Sequence, residues 1–229
     1  MSRLDGRDYI YLIWKDYKTR QRYIVGQLSK NSHYEFEYFK NEVKKAIENG
    51  FEPLIAFPDI EYVYKNDEIF PAFSSRLPDK RRKDIKEVLT KYNLNKYDEF
   101  ELLKKSGAKL PIDTLEFIDP IFLEESNIVR ECYLAGTRHH DFCNNDCRNS
   151  INLKEGDLLT LERDRNNSYD TNAVKVLSSS GECIGYIPTF YSKEVLSALE
   201  TNRDVKCTVK ALVKENNCQE CIKIELSVH

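Results

Sequence analysis

The chain has 229 residues, of which 41% are hydrophobic and 32% are charged, and its formal net charge is −3. This composition is typical of a folded globular protein and excludes a disordered chain. No apolar run approaches the roughly 18 residues of a membrane-spanning helix, and the N-terminus lacks a signal-peptide pattern. Basic and acidic side chains nearly balance in both halves, which excludes a broadly basic surface for long nucleic acids. We therefore expect a cytoplasmic protein that makes no membrane contact.

The first half of the sequence predicts a mixed α/β domain. Three β-rich segments come first, and the third alternates polar and apolar residues with the period of a strand (residues 9–14, 22–28 and 33–39). Three helices are predicted after them, at 41–50, after Pro78, and at 97–107. The basic run Lys80-Arg81-Arg82-Lys83 is predicted to open the second helix, either as a solvated start or as a phosphate or partner contact.

The second half changes to short strands separated by turns. The predicted strands are 131–137, 157–163, 172–178, 182–188, 204–213 and 221–228. One helix is predicted at 192–200, with Ser192 as its N-cap. Short strands with a single helix predict a small β-barrel, and Pro120 in an acidic segment indicates a boundary. The expected fold is therefore α+β, with domains at 1–122 and 123–229.

Three motifs in the second half carry a specific pattern. They are Gly136-Thr137-Arg138-His139-His140, the segment from Arg163 to Val176 that contains NNSYDTNAV, and Gly185-Tyr186-Ile187-Pro188. Together they resemble the HIRAN domain, a small module found alone or joined to DNA helicases and nucleases. The resemblance implies an OB-like β-barrel. The Asn and Asp residues of the central motif are also types that cap turns through their own backbone.

The resemblance implies that the module holds the 3′ end of single-stranded DNA. Arg138 is expected to meet a phosphate, His139 and Tyr169 to stack on terminal bases, and Asp170 to accept a hydrogen bond from the 3′-hydroxyl, with Tyr186 behind them. A carboxylate repels an internal phosphate and accepts from a hydroxyl, so it selects strand ends. An end pocket also suits the acidic chain. The alternative is that the NNSYDTNA loop only connects two strands, and this reading is favoured for Asn172 and Ala173.

The first half resembles the N-terminal subdomain of HipA-type toxin kinases. The resembling segments are VGQLSKNSHYEFEYF, FEPLIAFPD, FPAFSSRLPDKRR and DEFELLKKSGA. The resemblance implies a docking element that contacts a protein partner. No kinase is expected, because the glycines never form a phosphate-binding loop.

Seven cysteines lie between Cys132 and Cys221. In a cytoplasmic chain they are expected to stay reduced. Two pairs have a spacing compatible with structural zinc, Cys143 with Cys147 and Cys218 with Cys221. The favoured reading is against zinc, because Cys218 and Cys221 flank a strand entry, where small thiols are common core residues. No other cofactor is expected. Three further cysteines, Cys132, Cys183 and Cys207, are predicted to be core residues.

The sequence shows no catalytic motif, so no enzyme activity is expected. A Cys143-His140-Asp141 set lacks the geometry of a catalytic group, and Glu162 and Asp164 are predicted to be solvated charges at a strand edge. The leading prediction is a non-enzymatic protein that binds DNA ends and contacts a protein partner through its first half. The alternatives are a toxin–antitoxin or defence-system regulator that acts through protein contacts, and a zinc-stabilised module.

Overall fold

The computed structural model describes residues 6–137, 152–213 and 220–229. The predicted contacts Arg138 and His139 and the cysteines Cys143, Cys147 and Cys218 lie outside these ranges. The chain divides into two compact units, of which one ends at Pro120 and the other begins at Ile121. Each unit has its own antiparallel sheet. Within the described ranges, no helix combines the length and apolar character needed to cross a membrane.

The N-terminal unit is a five-stranded antiparallel sheet with helices around it. Its strand order is β4-β3-β2-β1-β5. The strands are β1 (Asp8–Lys15), β2 (Arg22–Lys30), β3 (Tyr34–Tyr38), β4 (Tyr64–Asn66) and β5 (Leu115–Ile118). The helices are α1 (Lys40–Glu48), α2 (Pro71–Ser74), α3 (Ile85–Lys91) and α4 (Glu99–Ser106). The three predicted strands and the three predicted helices are present, although the second helix begins later than predicted, and α2, β4 and β5 were not predicted.

Aromatic side chains fill the core of this unit. Phe36 points inward from β3, and its ring centroid lies 4.5 Å from that of Phe57 and 5.1 Å from that of Phe73. Phe73 in turn meets Phe117 of β5 at 5.0 Å. Such offset and edge-to-face pairs stabilise a fold beyond the area that they bury. The segment FPAFSS therefore supplies core residues, because Phe70 and Phe73 are both buried.

A buried arginine fastens the segment after α2 to the segment before β5. The guanidinium of Arg76 donates to both carboxylate oxygens of Asp113, at 2.5 and 2.9 Å, and its side chain is only 8% exposed. It also donates to the carbonyl oxygens of Ala108 and Leu115, both at 3.0 Å. This planar group thus uses the bidentate geometry that lysine lacks.

The basic run 80–83 does not open a helix. Helix α3 begins at Ile85, so the run lies in the turn before it. Arg81 donates to Asp79 at 2.7 Å, and Arg82 donates to Asp84 at 2.6 Å. The prediction placed the helix start too early, because Pro78-Asp79 resembles a helix start but forms a turn.

The C-terminal unit is a six-stranded antiparallel sheet with the order β6-β11-β10-β7-β8-β9. The strands are β6 (Ile128–Tyr133), β7 (Leu158–Arg163), β8 (Val174–Leu177), β9 (Cys183–Tyr186), β10 (Val205–Leu212) and β11 (Ile222–Val228). All six predicted strands are confirmed. Strand β11 alternates buried and half-buried residues along its whole length.

The sheet curls so that its two outer strands approach each other. The backbone N–H of Ala135 donates to the carbonyl of Tyr186 at 2.8 Å, and the N–H of Tyr186 donates back to Ala135 at 2.9 Å. Gly185 permits this approach, because a Cβ atom there would lie 2.9 Å from the carbonyl oxygen of Ala135. The predicted α+β fold with a curled, barrel-like sheet is confirmed for this unit.

Helix α5 begins earlier than predicted. It spans Thr189–Glu200, and Pro188 occupies the N-cap position. Ser192 is therefore not the cap but a buried residue within the helix. Val195 and Leu196 of the same helix are also buried.

Candidate nucleic-acid interface

The loop between β7 and β8 is fixed by its own side chains. Oδ1 of Asn167 accepts from the backbone N–H groups of Tyr169, at 2.9 Å, and Asp170, at 3.0 Å. Oδ1 of Asp170 accepts from the N–H of Asn172 at 2.8 Å. The loop is closed at its base, where the N–H of Asp164 donates to the carbonyl of Ala173 at 2.8 Å. The predicted turn-capping roles of Asn167 and Asp170 are confirmed.

Tyr169 stands at the tip of this loop with its side chain in solvent. It is 95% exposed, although its backbone is held by Asn167. An exposed aromatic ring buries no apolar surface, so it adds little to the stability of the fold. A ring held on a fixed backbone is, however, a suitable face for stacking against a planar group.

Asp170 is partly buried and held from both sides. Its Oδ2 accepts from the hydroxyl of Ser192 at 2.6 Å, while its Oδ1 accepts from the N–H of Asn172. Ser192 is 1% exposed and belongs to α5, so a helix fixes the carboxylate of a loop. Each carboxylate oxygen has a second lone pair, which remains able to accept from a ligand.

The burial of Asp164, at the base of this loop, contradicts one prediction. Asp164 is only 9% exposed, so it is not a solvated charge at a strand edge, whereas Glu162 is exposed as predicted. Oδ2 of Asp164 accepts from the Tyr186 hydroxyl at 3.1 Å, and its Oδ1 lies 3.4 Å from Nζ of Lys175. These partners come from β8 and β9, so the sequence around Asp164 gave no indication of them.

The pKa values of Asp164 and Tyr186 move in opposite directions. Burial raises the pKa of Asp164, but the hydrogen bonds from Tyr186 and from the N–H of Asn166, together with Lys175, outweigh it and lower the pKa overall. Burial and the hydrogen bond to Asp164 raise the pKa of Tyr186 to about 12. Tyr186 is therefore a neutral hydroxyl that donates to an ionised carboxylate at neutral pH.

The opening and closing motifs meet at the curled edge of the sheet. A Cβ atom at Gly136 would lie 3.4 Å from Cδ2 of Tyr186, so the Tyr186 ring packs close to this glycine. The φ angle of Gly136 is 71°, a conformation that favours glycine. Thr137, the last described residue before Arg138, is buried. The predicted contacts Arg138, His139, Tyr169, Asp170 and Tyr186 remain predictions as a ligand-binding set.

The loop also contains a cationic side chain, Arg165, that is not among the contacts predicted from the sequence. Arg165 follows Asp164 directly, is exposed, and has no ion-pair partner within the described part of the chain. Its neighbour Arg163, in contrast, is paired with Glu200 at 2.6 Å. The signal that identifies Arg165 is its place inside the Asn-rich loop, where it is the only basic residue.

The described cysteines are reduced thiols (Cys132, Cys183, Cys207 and Cys221). Cys132 and Cys207 are buried, as predicted, and burial raises the pKa of Cys207 to about 12. Cys183 is only half-buried. Of the four cysteines in the zinc hypothesis, Cys221 alone is described; it is buried, with Sγ 3.5 Å from Oγ1 of Thr137. The described residues contain no group of three side chains suited to a metal ion.

Part of the chain is similar in sequence to a curated nuclease. A Fanconi-associated nuclease 1 homolog from Oryza sativa subsp. japonica is 33% identical over 85 residues, which are 36% of this chain and 8% of the relative. The chain thus spans a small fraction of that protein. The prediction that the protein has no enzyme activity is contradicted by this match, because the relative is an enzyme by its name.

Solved structures also resemble part of the chain. The HIRAN domain of human HLTF matches with 16% identity and a TM-score of 0.34, over 44% of this chain and 74% of that one. A protein from Lactobacillus plantarum matches with 18% identity and a TM-score of 0.34, over 45% and 97%. The HLTF HIRAN domain in its DNA-bound conformation matches with 23% identity and a TM-score of 0.26, over 44% and 71%.

These TM-scores are low, so the assignment rests on the family model. That model, described as the HIRAN domain, matches residues 129–229. The matched range contains the fixed loop, the curled sheet edge and α5. The HipA-type resemblance of the first half stays a prediction. The C-terminal part of this chain, residues 129–229, is accordingly identified as a HIRAN domain.

Proposed function

We propose that the HIRAN domain of this chain binds the 3′ end of single-stranded DNA. The observation that carries the proposal is the loop 164–173, in which a fully exposed aromatic ring stands beside a fixed carboxylate. The match of residues 129–229 to the HIRAN family model supports the ligand class, because the resemblance implies a module that holds DNA ends. The rice relative is a nuclease by its name, which is consistent with a nucleic-acid ligand.

Each described residue of the set has a distinct role in this proposal. Tyr169 stacks on a terminal base, and Asp170 accepts a hydrogen bond from the 3′-hydroxyl. Tyr186 supports the pocket from behind through its bond to Asp164. Arg138 and His139, assigned by resemblance, add a phosphate contact and a second stacking face.

Arg165 adds a second phosphate contact to the proposal. It is exposed in the same loop as Tyr169, so its guanidinium is available to the strand that leaves the pocket. Two phosphate contacts are few for a nucleic-acid-binding protein, and this agrees with the net charge of −3. The affinity then depends on stacking and on the end group more than on ionic attraction.

Replacing Tyr169 with alanine is expected to weaken binding to a 3′-hydroxyl oligonucleotide by about 1–3 kcal/mol, the contribution of one stacked base. Thermal stability should hardly change, because the ring is 95% exposed. Fluorescence anisotropy measures the affinity. Tyr17→Ala is the matched control, since Tyr17 is also exposed, at 72%, but lies in the N-terminal unit.

The dependence of the affinity on salt concentration, measured with the same titration, is a second test of the proposal. With one or two neutralised phosphates on a single strand, affinity should fall only about three- to sevenfold between 50 and 200 mM salt. A loss of several hundredfold would contradict end recognition and indicate a long basic track. Unchanged binding by the Tyr169→Ala variant would contradict the stacking role.

A second candidate function, contact with a protein partner, is favoured by the N-terminal unit. Ile55 is 99% exposed and Tyr62 is 59% exposed, in the irregular segment between α1 and β4. A cleft of about 440 Å³ opens in the same region, lined by Tyr62, Tyr64, Phe70 and Pro71 among others. Single exposed apolar residues are common on protein surfaces, so it is their occurrence in the same segment as an apolar cleft that favours an interaction site here. The predicted docking role and the toxin–antitoxin or defence alternative both belong to this candidate.

A photo-crosslinking amino acid at position 55 is expected to yield a discrete crosslinked species in cells. The reason is that the exposed apolar side chain of Ile55 lies in the proposed contact. The same group at Lys96, an exposed polar position of the same unit, should yield none. Mass spectrometry of the crosslinked band measures the result, and equal labelling from both positions would count against a partner surface here.

A further inference from the structure

Helix α5 is bound to the loop 164–173 through one side chain. The hydroxyl of Ser192 lies 2.6 Å from Oδ2 of Asp170 and 3.1 Å from the carbonyl oxygen of Thr189. A hydroxyl has one hydrogen to donate, and the shorter contact is the one to the carboxylate. A hydrogen bond with an ionised partner is also about twice as strong as a neutral one. The bond to Asp170 is therefore the one that Ser192 makes.

The surroundings make this hydroxyl a rigid anchor. Ser192 is 1% exposed, and Tyr191, Val195 and Leu196 around it on α5 are all buried. The loop side is equally constrained, because the N–H of Asn172 holds the other oxygen of Asp170. Two donors on two different oxygens fix the rotation of the carboxylate plane. The free lone pairs of Asp170 then point in set directions before any ligand arrives.

We propose that Ser192 is the positioning residue that makes the domain selective for a hydroxyl-terminated strand. The inference rests on the proposed function, because it assumes that Asp170 reads the strand end. Ser192 does not touch the ligand; it holds Asp170 in the orientation that accepts the terminal hydroxyl. Preorganisation of this kind lowers the entropy lost when the ligand binds. Helix α5 thereby contributes to end recognition without contributing a contact.

The test uses three single strands that differ only at the 3′ carbon, which carries a hydroxyl, a hydrogen or a phosphate. Anisotropy titrations of the full chain give an affinity for each strand. The ratio between the hydroxyl and hydrogen strands measures how well the terminal hydroxyl is read. In the wild type this ratio is expected to be about tenfold, equivalent to about 1.4 kcal/mol.

Ser192→Ala is expected to reduce the ratio to about twofold or less, while the affinity for the hydrogen-terminated strand stays at the wild-type value. Ser192→Cys replaces the hydroxyl with a slightly larger thiol that is only a weak donor, so it should also lose most of the ratio. Ser197→Ala is the matched control, because Ser197 lies on the same helix and no hydrogen bond of its hydroxyl occurs among the described residues.

Two outcomes would overturn the inference. In the first, folded Ser192→Ala and Ser192→Cys variants keep the wild-type ratio. In the second, they lose affinity equally for all three strands, which indicates a purely structural role. Failure of the proposed function looks different, because the wild type itself would then bind all three strands equally or not at all, and the inference would fall with it.

Discussion

A 3′-phosphate is expected to lower the affinity of this protein for a single strand by at least about a hundredfold. A terminal phosphate carries about −1.5 to −2 charges at pH 7 and would lie against Asp170. Like charges brought together at an interface cost several kcal/mol. Removing the phosphate enzymatically should restore binding in the same anisotropy assay. Equal affinity for the two ends would exclude recognition of the 3′-hydroxyl.

Asp170→Asn identifies the carboxylate as the source of this discrimination. The variant should bind the hydroxyl strand more weakly, because a neutral amide oxygen accepts less strongly than a carboxylate. Its gap between hydroxyl and phosphate strands should shrink to within about tenfold, since the repulsion is gone. Asp204→Asn removes the same charge from an exposed position of the same unit and should keep the full gap.

Arg76→Ala is expected to lower the free energy of unfolding of the N-terminal unit by about 1.5–3 kcal/mol. Truncation removes the donor to the carbonyl oxygens of Ala108 and Leu115 and to the Asp113 carboxylate, which is 30% exposed and is partly solvated by water afterwards. Denaturant unfolding followed by far-ultraviolet circular dichroism measures the change. Arg76→Lys should recover only part of the loss, because lysine cannot bond both oxygens in one plane.

The matched control for this variant is Arg82→Ala. Arg82 also pairs with an aspartate, but its side chain is 53% exposed, and exposed pairs contribute little to stability because water screens them. A loss at Arg82 as large as that at Arg76 would contradict the distinction between buried and exposed pairs. DNA binding should survive both substitutions, since neither arginine belongs to the HIRAN domain.

Local patterns were sufficient to predict most of the elements. Strand β3 was predicted from period-two alternation, and Phe36 and Tyr38 are indeed its buried residues. Helix α4 ends at Gly107, whose φ of 70° is the left-handed conformation expected of a terminating glycine. These features depend on neighbours within a few residues, so the sequence alone contains them.

The wrong predictions concern structural features that depend on residues distant in the sequence. Asp164 is buried because Tyr186 and Lys175 pair with it, and no local pattern predicts a partner 22 residues away. Ser192 has the residue type of a helix cap, but Pro188 already starts the helix, so its hydroxyl is available to Asp170. The basic run 80–83 is a conspicuous pattern in the sequence and Arg76 is not. Yet the side chain of Arg76 is buried, whereas that of Arg81 in the run is exposed. Burial depends on the whole fold and not on the charge of a short segment.

The bridge between Ala135 and Tyr186 makes the edge of the sheet a weak point next to the proposed pocket. Among the residues that the structure describes, two backbone hydrogen bonds close it, whereas β10 and β11 are joined along seven residue pairs. Local opening therefore costs less at this edge than at the centre of the sheet. Tyr186 belongs to the bridge, and its hydroxyl also donates to Asp164. Opening of the edge would therefore also break the hydrogen bond between Tyr186 and Asp164. Under the proposed function, a strand end bound at this edge is expected to favour the closed sheet, so that ligand binding and closure stabilise each other.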